Sequence, residues 1–455
     1  MAIAVVIVLL VVGSVVFHFV SPWWFTEIAS HWTNVDFTIN LTFWVTGFVF
    51  VAVNLFLAYS VYRFRQRKGE ASKAVYEPEN ARLETGLTVL TTLGVAAMLA
   101  PGLFVWAQFV SVPEEATEFE AFGSQWQWAF RYPGDDGVLG TADIQYITET
   151  NPWGINPDDP NGQDDRVVKK PYMMLPIDQP VKALLRSRDV LHNYTVPQFR
   201  IKMDMVPGMV SYLWLTPTRT GVFDILCEQY CGLGHHIMRA RIEVAEADEY
   251  AAWLQAQPTF AETQAQPDAD LAAGQQAYTV CASCHGQQGE GNRAMNAPKL
   301  AGLQPWYVDR QLRYYQTGVR GTHEDDSFGR MMAPMANTVA SPEARANVSA
   351  YIASLEDTPA ANTLTEGDPA RGMRIYQANC ASCHGDDAGG SWATDAPALA
   401  GMDDWYMAIQ LQNYRDGIRG NHRDDDYGYQ MTSMVKAMRT QQQQNDVLSY
   451  INTLR

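Results

Sequence analysis

The sequence predicts a multi-domain chain: N-terminal transmembrane helices, then an all-β domain, then two all-α domains. Three observations predict it. The first 110 residues carry three long apolar runs. The middle of the chain alternates apolar and polar residues between Gly and Pro punctuation. The C-terminal part repeats itself at an offset of 99 residues. At 455 residues there is room for about three to four domains.

Residues 1–110 read as a transmembrane region, with helices at about 2–20, 41–62 and 86–110. Each run is long enough to cross the ~30 Å hydrocarbon core of a bilayer as a helix. Arg63, Arg65, Arg67, Lys68, Lys73 and Arg82 cluster between the second and third runs. Basic loops stay in the cytoplasm, so residue 111 onward lies on the outer side, and the N-terminus is cytoplasmic if all three runs span. A secretory signal would begin with Lys or Arg; this chain begins MAIAVV, so residues 2–20 are expected to be a retained helix. The formal charge of −17 argues against nucleic acid and is compatible with a basic soluble partner.

Residues 111–250 form the predicted β domain, in which FEAFGSQWQWAFRYP, KALLRSRDVLHNYTVP and GVFDILCEQYCGLGHHIMRARIEV carry strand-type patterning. Residues 135–170 (with DDG, NPWG and NPDDPNGQDD) read as a long polar loop. The weak Ca2+-loop pattern in DDGVLGTAD reads as a solvated turn. QAQPTFAETQAQPD reads as a linker. The repeat units follow at 268–358 and 365–455. Their alignment holds without a gap from PKLAGLQPWYVDRQLRYY and PALAGMDDWYMAIQLQNY to the methionines, and each unit is built of several helices.

The chemistry lies in the cysteines. CASCH occurs twice, as Cys281, Cys284, His285 and as Cys380, Cys383, His384. Cys-x-x-Cys-His is the attachment motif of c-type haem: two thiols form thioethers and the histidine is an axial ligand. With Cys227 and Cys231 these account for all six cysteines, leaving none for a disulfide. The sixth ligand of an electron-transfer haem is usually Met. Across the repeat Met332 pairs with Met431 and Met335 with Met434, while Met331 faces Gln430. Both units resemble the halves of dihaem class I cytochromes c, and the resemblance implies Met332 and Met431 as ligands over Met335 and Met434. His323 and His422 also match, but they sit in Asp-rich loops (THEDD, NHRDDD) that read as solvated; bis-His ligation is the alternative.

The segment 227–238, CEQYCGLGHHIM, sets two thiols, an imidazole and a thioether on one loop. Soft donors of this kind select copper over hard cations, and two sulfurs can bridge two ions. A structural zinc site is the alternative reading. A second imidazole must come from elsewhere, and His192 in DVLHNYTVP is the candidate. The pattern resembles the binuclear CuA centre of subunit II of the haem-copper oxidases, a likeness covering much of residues 40–247. It implies a cupredoxin-like fold and the ligands His192, Cys227, the main-chain carbonyl of Gln229, Cys231, His235 and Met238. His236 is read as non-ligating. GSQWQWAFRYP is similar to the family's aromatic region, which implies electron entry at Trp126. Glu84, in LETGLTV, matches a glutamate at a proton-channel mouth. Two residues depart from the family pattern: Met209 stands where Arg is usual, and Gln229 replaces a Glu that binds an interface Mg2+ or Mn2+, so that metal is not expected.

The resemblance implies a fold of transmembrane helices, a cupredoxin-like CuA domain and two cytochrome c domains, with binuclear copper and two covalent haem c as cofactors. It implies an electron-entry subunit in a bacterial inner (plasma) membrane, its redox domains on the periplasmic face. A donor such as a cytochrome c would reduce the haems, and copper would pass electrons to haem-copper subunit I, accompanied by further membrane subunits. There O2 is reduced to water with proton translocation, so no catalytic residue lies in this chain. The alternatives are the same architecture in a CuA-type nitric oxide reductase, or a stand-alone membrane-anchored carrier.

Overall fold

The computed structural model describes residues 1–21, 26–66, 69, 78–265, 268–364 and 366–454. Of the basic cluster, Arg67, Lys68 and Lys73 lie outside the described residues. Three helices are long and apolar enough to cross a membrane: α1 (Ala2–Val20), α2 (Thr33–Arg63) and α3 (Ala81–Val110). They are apolar all round, and Phe48 and Leu90 are about as exposed as Phe104. Helices of this kind are stable only when lipid or other apolar helices cover them. Asn80 caps α3, its Oδ1 accepting the Leu83 N–H at 3.1 Å.

The ends of α2 and α3 are latched to the β domain. Trp32 is buried, and its indole N–H donates to the Trp214 carbonyl at 3.1 Å. Its ring lies against Trp214 and Phe109. Trp214 in turn donates to the Gln108 carbonyl near the end of α3, at 3.0 Å. Arg200 holds both oxygens of Asp36, at 2.6 and 3.0 Å.

The β domain is a sandwich. One sheet orders β3 (Arg166–Val168), β2 (Gln127–Tyr132), β1 (Thr117–Ser124), β5 (Val181–Ser187) and β8 (Ser211–Leu215). The other orders β4 (Tyr172–Pro176), β10 (Arg239–Ala245), β9 (Gly221–Leu226), β6 (His192–Val196) and β7 (Ile201–Met205). The sequence alternation becomes burial alternation. Val181, Ala183 and Leu185 face inward between Lys182, Leu184 and Arg186, as the two-residue period of a strand requires. Phe119, Phe130, Tyr194, Leu213 and Ile242 meet in one core.

Two segments that composition reads as loop and linker are folded onto this sandwich. Within residues 135–170, Trp153 and Ile155 are fully buried and pack with Phe122, Val167 and Phe260. Phe260 belongs to the linker. Its N–H donates to the Asp165 carbonyl at 2.7 Å, and Thr259 and Glu262 form a capping box for the short helix it starts. One large aromatic per segment is enough to dock it, and composition averages such a residue away. Nearby, Arg131 donates to Glu120 at 2.6 Å and to Asp165 at 2.9 Å, all three out of water.

The repeat units are helical. The first contains α4 (Leu271–His285), α5 (Pro305–Gln316), α6 (Ser327–Ala336) and α7 (Pro342–Ala353). The second contains α8 (Pro369–Asn379), the short turn Ala381–His384, α9 (Asp404–Asp416), α10 (Asp426–Ala437) and α11 (Gln441–Ile451). First and last helices cross tightly in both units. A Cβ on Gly274 would stand 2.2 Å from the Asn347 carbonyl, and one on Gly372 only 1.9 Å from that of Asp446. Tyr278 and Tyr376 donate to the carbonyls of Gly286 and Gly385. The tyrosines are 98 residues apart, so the second unit has one extra residue before Cys380, and there its first helix breaks. The units face each other through an exchanged pair: Arg320 donates to Tyr406 and Gln410, and Arg419 to Tyr307 and Gln311.

The crossing is built differently in the two units. Asn347 accepts the Asp270 N–H, whereas Asp446 accepts the Asp368 N–H and pairs with Arg371 at 2.9 Å. The Arg371 guanidinium holds the Asp446 carboxyl down to about 2 from an ordinary 3.8. A carboxylate held down in the fold stabilises above its unfolded value and loses that contribution as pH falls through its folded one. Acidification from pH 3.8 towards about 2 should therefore open the second unit before the first. Asp446→Asn should narrow that difference, read by unit-resolved hydrogen exchange.

Candidate metal centre and haem sites

Strand ends converge to build the first site. His192 opens β6, Cys227 follows β9, and Met238 precedes β10. A 3-10 turn, Leu233–Ile237, carries His235. His192, Cys227, Cys231 and Met238 are all buried. Cys227 Sγ lies 3.8 Å from Cys231 Sγ, 3.9 Å from His192 Nδ1 and 3.3 Å from the Gln229 carbonyl oxygen. Cys231 Sγ lies 3.6 Å from His235 Nδ1 and 3.8 Å from Met238 Sδ. His236 is exposed, with Nδ1 3.2 Å from the Leu233 carbonyl, outside this cluster.

Both thiols are free. Two sulfurs on one soft ion, each bonded at ~2.3 Å, can be no more than ~4.6 Å apart. The 3.8 Å separation meets that condition, and thiolates, imidazoles and a thioether are a copper-type set. The pair gives up one proton readily and holds the other. The hydrogen bond from Cys231 holds the Cys227 thiol down, to about 3, with His192 and the Gln229 backbone assisting. The Cys227 thiolate pushes Cys231 up in return. A bound metal would displace both protons.

Apart from Trp126, sequence reasoning missed the residues that aim these ligands. Asp189 Oδ1 is 2.8 Å from His192 Nε2, which turns Nδ1 toward the sulfurs. Burial pulls His192 down, and the bonds to Asp189 and Cys227 outweigh it, so its net shift is upward. Asp204 holds the Gln229 side-chain amide at 3.2 and 3.3 Å. Gln125 Nε2 and Trp126 Nε1 both donate to the Cys231 carbonyl, at 2.7 and 3.1 Å. Trp126 is buried and lies flat on the loop: a Cβ on Gly234 would fall 2.4 Å from its ring. The only hint in the sequence was an aspartate three residues before His192.

The two CASCH sites have matching geometry. His285 Nδ1 lies 2.7 Å from the Pro298 carbonyl and His384 Nδ1 2.9 Å from that of Pro397. A proton on Nδ1 therefore leaves Nε2 as the nitrogen that can ligate iron. Both rings are buried, which lowers their pKa values. Cys281 and Cys380 line the helical core, as do Met332 and Met431. Met335 is exposed, and Met434 packs against the β-domain core instead. These residues fit a covalent haem in each unit. His323 and His422 stand beside their own loop acids, Asp325 and Asp424. Glu84 is exposed in the first turn of α3 and accepts the Asn80 N–H at 3.2 Å.

The second unit is seated on the β domain beside the thiol cluster. Cys383 Sγ lies 3.6 Å from the Gln125 carbonyl. Gln127 Nε2 donates to the Thr394 carbonyl at 2.7 Å and to Gln430 Oε1 at 3.1 Å. Lys169 pairs with Asp395 at 3.1 Å and sits 3.5 Å above the Trp392 ring.

Residues 117–245 match the profile of the family described as cytochrome C oxidase subunit II, periplasmic domain. Residues 271–356 and 369–455 each match that of cytochrome c. An alternative cytochrome c oxidase subunit 2 from Bradyrhizobium diazoefficiens is 58% identical over 261 residues, covering 57% of this chain and 94% of that protein. A cytochrome c oxidase subunit 2 from Cereibacter sphaeroides is 27% identical over 231 residues, covering 47% and 74%. Reduced cytochrome c4 from Pseudomonas stutzeri is 28% identical, covering 41% of this chain and 100% of that one, with a TM-score of 0.33.

Removing the group that aims a metal-binding histidine weakens metal binding by about 10–100-fold. Asp189→Asn should lower copper affinity by that factor, measured by chelator competition, with the haem absorption unchanged as the control.

Proposed function

Since the chain belongs to the cytochrome c oxidase subunit II family and carries two cytochrome c domains after the family's periplasmic domain, we propose that it is the electron-entry subunit of a membrane haem-copper oxygen reductase. Copper and haem c supply one-electron chemistry when bound. The residues proposed to hold the binuclear copper are His192, Cys227, Cys231, His235, Met238 and the Gln229 carbonyl. Those proposed for the haems are Cys281, Cys284, His285 and Met332, and Cys380, Cys383, His384 and Met431. In this reading electrons pass from a donor protein through the haem units to the copper site, then to a separate subunit I that reduces O2 to water and translocates protons.

The observation that supports this best is the contact between two redox-type sites within one anchored chain: Cys383 against Gln125, and Gln125 and Trp126 against Cys231. Covalent linkage makes delivery to the copper site intramolecular, at an effective concentration far above that of a free carrier. Buried Trp126 serves as the bridge across that contact. Asp189 and Asp204 fix the ligand shell, which keeps its geometry similar in both oxidation states. Glu84, in the first turn of α3, is proposed to stand at a proton entry on the cytoplasmic side. The exposed apolar surfaces of α1 to α3 are covered by lipid, by subunit I and by further membrane subunits, and the redox domains face the periplasm.

The test is turnover of the purified complex with O2 and with NO, driven by an ascorbate-reduced donor, while its optical spectrum is recorded. O2 consumption with a c-haem band and a near-infrared copper band is expected. Cys227→Ser should abolish the copper band and turnover while the haems still reduce. Turnover of NO alone, or purification of the chain without a large polytopic subunit, would overturn the reading.

A further inference from the structure

The two haem units are near copies, yet one surface of the repeat is used differently in each. In the second unit Thr394, Gln430 and Met434 meet the β domain: Gln127 holds the first two, and Met434 packs on the sandwich core. Their counterparts in the first unit are Met295, Met331 and Met335. All three face solvent, 45%, 64% and 44% exposed. Phe328, also exposed, extends the row, since 328, 331 and 335 share one face of α6. The same surface is thus covered, and polar at two of three positions, where it has an internal partner, and wholly apolar and exposed where it has none. A row of large exposed apolar residues marks a binding surface, and flexible methionines adapt to a partner.

We propose that this face of the first unit docks the external electron donor, so that the first unit is the distal haem site and the second is the one that serves copper. The inference rests on the electron-entry reading above. The partner is a small one-electron donor protein whose own redox centre is rimmed by uncharged apolar side chains. Residues 271–356 hold seven acidic residues and seven Lys or Arg. The polypeptide of this unit carries no formal net charge, so its own side chains give little long-range steering, and association is expected to depend only weakly on salt. Trp126 is buried beneath the second unit's contact, so the donor has no direct route to it.

The test uses the intact complex with its cofactors bound. Two reduced probes are mixed with it by stopped flow across a range of salt: a c-type cytochrome of near-zero net charge and a strongly basic one. Reduction by the neutral probe should be nearly salt-independent. Met331→Glu and Met295→Glu should slow it about tenfold, a modest loss of docking free energy. Met331→Gln, which installs the second unit's own residue, should slow it less and guards against a folding artefact. Equilibration between haem and copper after photoreduction should be unchanged in all three. Unchanged rates in both Glu variants, or a steep salt dependence with the neutral probe, would overturn the docking proposal while leaving O2 turnover and the copper band intact. A wild-type complex without a copper band would overturn the functional reading and this inference with it.

Discussion

Two N–H groups converge on one carbonyl oxygen, that of Cys231. They come from Gln125 and Trp126, in the turn between β1 and β2, so this contact ties one sheet of the sandwich to a loop carried by the other. The loop has no regular strand of its own to hold it. Its glycines let it lie against the indole: any side chain at 234 would collide with Trp126. The same turn presents its own carbonyl to Cys383. The thiol cluster, the sandwich and the second helical unit are therefore all registered on two backbone carbonyls, those of Cys231 and Gln125.

Much of this was legible in the sequence because it is local. Three apolar runs mark helices, and strand alternation becomes burial alternation. CEQYCGLGHHIM carries four side-chain ligands of the proposed centre within twelve residues. CASCH states its own chemistry. The remaining pieces depend on contacts between distant segments, which spacing does not encode. Asp189 is one surface acid among many until the fold sets it against His192. Phe260 sits in a stretch whose composition reads as linker, and only the pocket formed by Trp153, Ile155 and Val167 gives it a role.

The repeat teaches a related lesson. Alignment pairs Met332 with Met431 and Met335 with Met434 and treats each pair alike. In the fold, Met332 and Met431 share the helical core, while Met335 and Met434 part company, one to solvent and one to the sandwich. Divergence between duplicated units is thus readable as a record of what each unit touches. Asn347 and Asp446 diverge in the same way: one crossing is held by a neutral hydrogen bond and the other by a charged one.

The tryptophan latch between the helices and the sandwich has a kinetic consequence. Trp32, Trp214 and the Arg200–Asp36 pair fix the height of the sandwich above the bilayer as a covalent strut would. In the proposed electron-entry role, tunnelling would fall off steeply with distance, so a rigid mount would give every molecule the same rate. Loosening the latch would broaden that single rate into a spread of rates, a loss of uniformity rather than of capacity.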